Sequence, residues 1–196
     1  MSSRYYSVLN WSTKIGVSLF IIAYPFIVYF GLNYWSISFL APCLLCLFVL
    51  RLVLSKQHPQ KTKQFIFAVK AISIIGILLI LASWLLKQNQ WLLFYPVAVN
   101  LIMLGLFAYS LLQPPSIIER LARITEPELP QSGIRYTRTV TQIWCVFFVI
   151  NASIALWTCY LNNMDIWTLY NGAISYILMG TLLGSEWLFR QWVRHK

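Results

Sequence analysis

Glu186 is the one carboxylate inside a long apolar stretch of this chain, and cationic residues follow it in the sequence. Arg190 follows four residues later, so on a helix it lies on the same face and can neutralise the carboxylate. Arg138 opens the preceding apolar stretch and competes for Glu186 if the two stretches pack as a hairpin. Ionisable groups at membrane depth mark sites because they are costly when left unpaired. We predict a polar cluster of Arg135, Tyr136, Arg138, Glu186 and Arg190, which acts either as a functional pocket or as a structural clamp.

A second cationic pair, Arg120 and Arg123, lies in a short segment between prolines whose aliphatic residues recur at helical spacing. This pattern predicts an amphipathic helix in the membrane interface. The two arginines share a face and could contact a phosphate-bearing headgroup or an acidic partner. Alternatively, Glu119 and Arg123 are four residues apart and could simply pair with each other. The sequence leaves both roles open.

A long apolar stretch at residues 140–161, the fifth of six in the chain, carries with the residues just before it a polar stripe that we expect to face other helices rather than lipid. Asn151 of this stripe lies near mid-membrane, at a depth similar to that of Asn100 in the preceding stretch. An amide pair would satisfy both side chains, either to join the helices or to recognise a ligand. Gly180 and Gly184 form a Gly-x-x-x-Gly motif, which predicts close approach of a neighbouring helix. The stripe recurs at the spacing of one helical face and consists of Thr137, Thr141, Trp144, Phe148, Asn151, Ala155 and Thr158.

Cys43 and Cys46 form a Cys-x-x-Cys motif, a spacing that also occurs in dithiol redox sites. Helical rise places the pair about 12 Å below the membrane surface, and no basic neighbour would stabilise a thiolate there. We therefore expect buried cysteines that pack as small apolar residues. The two histidines, His58 and His195, lie in a loop and in the tail, so we expect no metal site within the membrane and no cofactor. No catalytic residue is predicted.

The composition excludes a water-soluble domain. Of the 196 residues, 59% are hydrophobic and 10% are charged, and the mean hydropathy is +0.68. Soluble domains average about 45–50% apolar and about 25% charged residues, so most of this chain must be surrounded by lipid. The net charge of +10 does not indicate nucleic-acid binding, because the lysines and arginines fall almost wholly in alternate loops.

Six apolar stretches are long enough to cross the hydrocarbon layer as helices, which requires about 20 residues each. They cover residues 15–32, 37–54, 65–86, 91–112, 140–161 and 166–189. We therefore predict a single all-α polytopic membrane domain of three helical hairpins, with a cytoplasmic interfacial segment at 113–139. The loops on one side collect the cations, whereas the other side receives Lys87 alone. The positive-inside rule then predicts that both termini are cytoplasmic.

The C-terminal half carries a set of short motifs that extends beyond generic apolar helices. They are Pro127-Glu-Leu-Pro130, Tyr136-Thr-Arg-Thr-Val-Thr141, Trp144-Cys-Val-Phe-Phe148, Asn151, Tyr170-Asn-Gly172, Met179-Gly180 and Glu186-Trp-Leu-Phe-Arg190. In these motifs the chain resembles a family of small polytopic bacterial inner-membrane proteins encoded among fatty-acid-like and aryl-polyene biosynthesis genes. The resemblance brings no established activity. It implies a Gram-negative inner membrane and an accessory role in building or moving a lipid-like product.

The resemblance and the basic cytoplasmic face together define the function that we expect. The protein would be a non-enzymatic, integral inner-membrane accessory protein that anchors or assists acyl-chain or lipid-like product biosynthesis. Its expected partners are membrane lipids and an acidic acyl carrier protein or other biosynthetic membrane proteins, and not nucleic acid. Two alternatives are a small lipid flippase or exporter subunit, whose path the polar stripe would line, and a lipid-modifying enzyme that uses Glu186 and Arg138.

Overall fold

The computed structural model describes residues 23–35, 37–55 and 63–194. Within these ranges the chain is helical and has no strand, which confirms the all-α prediction. A π-helical turn, Tyr170–Ile174, joins the last two α-helices. The α-helices are α1 (Tyr24–Tyr34), α2 (Ile37–Ser55), α3 (Lys63–Leu86), α4 (Gln90–Leu93), α5 (Tyr95–Leu112), α6 (Ile117–Thr125), α7 (Gln131–Tyr160), α8 (Met164–Leu169) and α9 (Ser175–Arg194).

Four helical stretches are long and apolar enough to cross a membrane. They are Ile66–Leu86, Gln90–Leu112, Gln131–Tyr160 and Met164–Leu188, and they correspond to the third to sixth predicted spans. A shorter apolar helix, Ser38–Val53, occupies the place of the second predicted span. Most of the first predicted span, 15–32, lies outside the described residues, and α1 covers only its last part.

Two predicted boundaries differ from the structure. The sequence predicts a fifth span from residue 140, but α7 begins at Gln131, immediately after its N-cap Pro130. Residues 131–139 are largely polar yet compatible with a helix, so the apolar pattern underestimates the length of α7. The predicted sixth span, 166–189, is interrupted by the π-helical turn and continues to Arg194. Hydropathy does not register this turn because the turn leaves the composition unchanged.

The bundle has an apolar exterior and a partly polar interior, which is the reverse of a soluble protein. Leu78, Leu101, Val146 and Ile177, one from each membrane-length stretch, are all more than half exposed. Lipid favours this arrangement because it solvates apolar side chains and leaves polar ones to pair inside the protein. The buried polar residues of the long helices, of α8 and of the π-helical turn are Ser73, Ser83, Asn100, Ser110, Thr137, Thr141, Asn151, Thr158, Thr168, Asn171 and Ser175.

The polar stripe predicted on the fifth span is confirmed. None of its seven residues, from Thr137 to Thr158, is more than 5% exposed. The stripe faces α5, and the α5–α7 pair forms the most extensive helix contact within the described residues. α3 packs against α2 and α5, α6 lies against the start of α7, and α1 contacts α8.

The bundle has two chemically different ends, which we call the far end and the basic end. At the far end, α3 meets α4 and α7 meets α8, and the Tyr29 hydroxyl donates a hydrogen bond to Asp165 Oδ1 at 2.8 Å. At the basic end, α2, α5 and α9 finish and α7 begins. The basic end carries Arg51, Arg120, Arg123, Arg135, Arg138 and Arg190.

Candidate functional site

The interior near the far end is organised around the break between α4 and α5. Pro96 has no amide hydrogen, so the carbonyl oxygen of Leu92 lacks its helical donor. The Tyr24 hydroxyl donates to this oxygen at 3.0 Å. The indole Nε1 of the fully buried Trp167 donates to the neighbouring Leu93 carbonyl oxygen at 3.0 Å. Hydrogen bonds from aromatic side chains therefore tie α1 and α8 to the break.

A polar ladder of Asn100, Asn151 and Tyr170 crosses the bundle from α5 through α7 to the π-helical turn. Asn151 Nδ2 donates to Asn100 Oδ1 at 3.0 Å, and the Tyr170 hydroxyl donates to Asn151 Oδ1 at 2.8 Å. Asn100 Nδ2 donates to the Pro96 carbonyl oxygen at 2.8 Å. The structure thus brings together the two amides that the sequence analysis paired, and it adds a tyrosine that the sequence analysis did not identify.

The π-helical turn explains why helical periodicity misses that tyrosine. A π-helical turn shifts the register by one residue, so two consecutive residues, Tyr170 and Asn171, both contact α7. Asn171 Nδ2 donates to Thr158 Oγ1 at 3.1 Å and to the Trp167 carbonyl oxygen at 2.9 Å. The signal available in the sequence was the Tyr170-Asn171-Gly172 motif, whose polar residues interrupt an apolar stretch.

A cavity of about 480 Å³, which we call the central cavity, lies between the polar ladder and the basic end. Aromatic side chains form much of its wall. The ring centroids of Tyr24 and Tyr95 lie 4.3 Å apart on one side. Phe148 lies 5.2 Å from Phe107 and 5.6 Å from Trp144 on the other. Apolar residues of α6 also line the cavity, so its surface suits an apolar chain.

Charged side chains line the same cavity, namely Arg51 from α2 and both Glu186 and Arg190 from α9. Arg51 Nη1 is buried without a hydrogen-bond partner, and so is the Tyr95 hydroxyl, an electrostatic neighbour of the guanidinium. In the described part of the chain, no carboxylate oxygen lies within 4.0 Å of the Arg51 guanidinium. Arg51 is not among the site residues predicted from the sequence, although it is the one charged residue of the predicted span 37–54.

A second cavity of about 290 Å³, the α6 cavity, lies at the basic end and shares Glu186 and Arg190 with the central cavity. Tyr136 also lines it, and the Tyr136 hydroxyl lies 3.5 Å from the Glu186 carbonyl oxygen. The structure therefore groups Tyr136, Glu186 and Arg190, three members of the predicted polar cluster. The predicted ion pair between Glu186 and Arg190 is not formed, because Arg190 Nη2 lies 3.9 Å from Glu126 Oε2 instead.

The other two members of the predicted cluster, Arg135 and Arg138, lie elsewhere. Both side chains are exposed, and neither lines the central cavity or the α6 cavity. The reason is the early start of α7 at Gln131, which makes this region regular helix. Thr137 takes the inward position, so Arg135 and Arg138 point outward.

α6 is the amphipathic helix that the sequence predicts, and its polar residues hold their own segment together. The Ser116 Oγ accepts a hydrogen bond from the Glu119 amide at 3.4 Å. The Glu119 carboxylate is buried and forms an ion pair of 2.8 Å with Arg123. Arg120 Nε donates to the Pro115 carbonyl oxygen at 2.7 Å. The structure therefore adopts the pairing alternative for Arg123, and neither arginine extends freely toward a headgroup.

Gly180 and Gly184 do not form the predicted close contact with a neighbouring helix. Both are exposed, and a Cβ atom at either position would meet no neighbouring atom within 4 Å in the described part of the bundle. Met179, Leu183 and Glu186 form the face of α9 that lines the central cavity. Each glycine follows one of these residues, and the helical turn of 100° directs it outward.

Cys43 and Cys46 also differ from the prediction, because both thiols are exposed rather than buried, and neither forms a disulfide. The helical period of α2 gives the reason. Leu40, Leu44 and Phe48 form its buried face, so positions 43 and 46 turn to the outer surface of the bundle.

No protein-family description, curated protein or solved structure matches this chain. Within residues 23–35, 37–55 and 63–194, no group of three or more His, Cys, Asp and Glu side chains is placed to hold a metal ion. Function is therefore inferred from the shape of the central cavity and from the charges around it.

Proposed function

We propose that this protein is an integral inner-membrane accessory protein that holds the apolar chain of a lipid-like product. It acts without catalysis, in support of acyl-chain biosynthesis at the cytoplasmic face. The central cavity carries this proposal, because its volume of about 480 Å³ falls within the range of about 300–1,000 Å³ that is typical of small-molecule sites. Its walls are mainly apolar, and its charged residues come from the basic-end turns of α2 and α9. This combination suits an amphiphile.

In this proposal the chain crosses a bacterial inner membrane six times, as three hairpins with both termini in the cytoplasm. The four membrane-length stretches support the third to sixth crossings. The positive-inside rule directs the basic end to the cytoplasm. The charged residues of the central cavity then lie near the cytoplasmic leaflet.

Arg135 and Arg138 are the cations best placed to contact a cytoplasmic partner. Both are exposed, and neither side chain forms an ion pair with another described residue. An acidic acyl carrier protein is electrostatically complementary to such a surface. Arg120 and Arg123 contribute less, because their guanidinium groups are engaged within the α6 segment.

The role of the cavity is tested by comparing the lipid and acyl-product profile of the parent strain with that of a deletion strain. The wild-type gene should restore the missing product. Val99→Trp should not, because Val99 lines the central cavity and an indole there would fill it. Leu101→Trp is the matched control, two residues along the same helix and 53% exposed. Full restoration by Val99→Trp, or an unchanged profile on deletion, would contradict the proposal.

The partner surface is tested separately by charge reversal. The double variant Arg135→Glu, Arg138→Glu should lose co-purification with acyl carrier protein from cross-linked membranes. Lys87→Glu makes the same kind of change at an exposed position at the far end and should keep it. Equal recovery of the carrier protein with both variants would exclude this docking surface.

A further inference from the structure

Arg51 is a cation in the wall of an apolar cavity, and the described protein does not neutralise it. It lies four residues before the end of α2 at Ser55, which corresponds to about 6 Å by helical rise. Its Nη1 atom is buried and has no hydrogen-bond partner among the described residues. A charge in such surroundings is costly unless an opposite charge reaches it. Arg51 is therefore suited to bind an anion that enters the cavity.

The Tyr95 hydroxyl is a second donor on the same cavity. The Tyr95 side chain is 4% exposed, and its ring packs between Tyr24, at a centroid distance of 4.3 Å, and Phe48, at 5.3 Å. This packing holds the hydroxyl in place. The other buried tyrosine hydroxyls of the described chain have partners, since Tyr24 donates to Leu92 and Tyr170 donates to Asn151. The Tyr95 hydroxyl has no partner at regular hydrogen-bond geometry, and its polar neighbour is the Arg51 guanidinium.

The charges around the cavity indicate how much charge the anion carries. Arg190 lies 3.9 Å from Glu126, whereas no described carboxylate lies within 4.0 Å of Arg51, so among the cations of the lining it is Arg51 that carries an excess of one positive charge. A carboxylate balances this excess with one negative charge, whereas a phosphate monoester carries about 1.5 to 2 negative charges near neutral pH. The planar guanidinium can bind two oxygens of either group, so the charge balance and not the geometry favours the carboxylate.

We propose that Arg51 and Tyr95 bind the carboxylate of a single-chain fatty acid, whose alkyl chain occupies the aromatic part of the central cavity. This inference rests on the proposed function in one respect, namely that a lipid-like chain occupies the cavity. It adds the headgroup chemistry and the residues that recognise it. Binding leaves the fatty acid chemically unchanged.

The test uses the purified full-length protein in detergent micelles and measures binding of radiolabelled oleate. Oleyl alcohol, which has the same chain without the charge, and oleoyl lysophosphatidate compete in separate arms. Wild-type protein should prefer oleate to both competitors. Arg51→Gln should weaken oleate binding about 10- to 100-fold, as expected for a hydrogen-bonded charge pair. Tyr95→Phe, which removes one oxygen atom, should weaken it about 3- to 10-fold.

Binding of oleyl alcohol provides the control for folding, because the alcohol has no charge for Arg51 to neutralise and binds mainly through the apolar walls. Both variants should bind it as the wild type does. Lys70→Gln removes an exposed cation that does not line the central cavity and should leave oleate binding unchanged. If Arg51→Gln loses the alcohol as well, the comparison is made with Tyr95→Phe alone, which keeps the ring and its packing.

Three outcomes would overturn the inference. The first is equal competition by oleate and oleyl alcohol in the wild type. The second is an unchanged oleate affinity in Tyr95→Phe or in a folded Arg51→Gln. The third is tighter binding of lysophosphatidate, which would assign the site to a phosphate headgroup. The proposed function is contradicted by different results, namely an unchanged product profile in the deletion strain or full restoration of the product by Val99→Trp.

Discussion

The polar ladder and the central cavity differ in whether their buried polar groups are hydrogen-bonded. In the ladder, Asn100, Asn151 and Tyr170 are hydrogen-bonded to one another across three segments of the bundle. Around the cavity, Arg51 Nη1 and the Tyr95 hydroxyl are buried without partners. Both regions lie in the interior of one bundle and include residues of α5, so the difference lies in how the side chains are paired.

This difference separates groups that stabilise the fold from groups that bind a ligand. An unpaired buried polar group costs about 1–3 kcal/mol, so the ladder stabilises the protein by avoiding that cost. The cavity retains the cost until an anion binds, and the released free energy contributes to affinity. Ser83 and Thr168 also have unpaired hydroxyls, but a helical hydroxyl can rotate toward a carbonyl oxygen of its own helix.

The largest effect is expected at the centre of the ladder. Asn151→Leu leaves Asn100 and the Tyr170 hydroxyl without their partner, which should lower the free energy of unfolding by about 2–3 kcal/mol. Ser153→Ala is the control on the same helix, because the exposed Ser153 hydroxyl donates only to the Val149 carbonyl oxygen. Reversible unfolding in mixed micelles measures both. Equal stability of the two variants would contradict a structural role for the ladder.

A slightly smaller effect is expected where α3 supports the cavity wall. A Cβ atom at Gly76 would lie 2.6 Å from the Phe48 ring, which is 2% exposed and packs against Tyr95. Gly76→Ala should therefore lower the free energy of unfolding by about 2 kcal/mol through overpacking. Gly105→Ala, where an added Cβ atom meets nothing within 4 Å, should be neutral or mildly stabilising. If both glycines tolerate alanine, the wall is not closely packed.

The break between α4 and α5 should show an intermediate effect. Trp167→Phe keeps an aromatic ring and removes the Nε1 donor to the Leu93 carbonyl oxygen, so we expect a loss of about 1 kcal/mol. Trp157→Phe is the control, since Trp157 is 66% exposed. Thermal unfolding in micelles distinguishes them, and a control that is as destabilised as Trp167→Phe would argue against the hydrogen bond.

The smallest effect is expected on the outer face of α9. Gly180→Ala and Gly184→Ala should raise the free energy of unfolding by up to about 1 kcal/mol, because alanine favours helix and the added Cβ atoms meet no neighbour. The same unfolding assay tests this. A clear loss of stability would indicate that another helix packs on these glycines in the membrane.

Local patterns in the sequence predicted much of the fold. The stripe from Thr137 to Thr158 could be assigned to the interior because side chains on one helical face recur at a fixed spacing. The amphipathic α6 could be predicted for the same reason. The start of α7 could not, because its first turns are polar although helical, and hydropathy measures composition rather than backbone conformation.

The candidate site was predicted only in part, because its contacts join residues that are distant in the chain. Glu186 was predicted as a site residue because it is an acid in an apolar stretch, and in the structure it lines both cavities. Its expected partner Arg190 contacts Glu126 instead, and Arg138 points away. Arg51 was not predicted because it stands near the end of its apolar stretch and was counted with the cations of the following loop, and Tyr95 was not predicted because nothing in its sequence neighbourhood distinguishes it.

Hydropathy and the placement of lysine and arginine, both readable from the sequence alone, determined that this is a helical protein for a lipid environment with one basic end. These properties depend on each segment separately, so no knowledge of packing was required. Only the tertiary structure decided which polar groups meet. It paired Asn151 with Asn100 and Tyr170, and it left Arg51 beside Tyr95 in a cavity. Pairing depends on how helices rotate and cross, because that geometry determines which side chains come within hydrogen-bond distance.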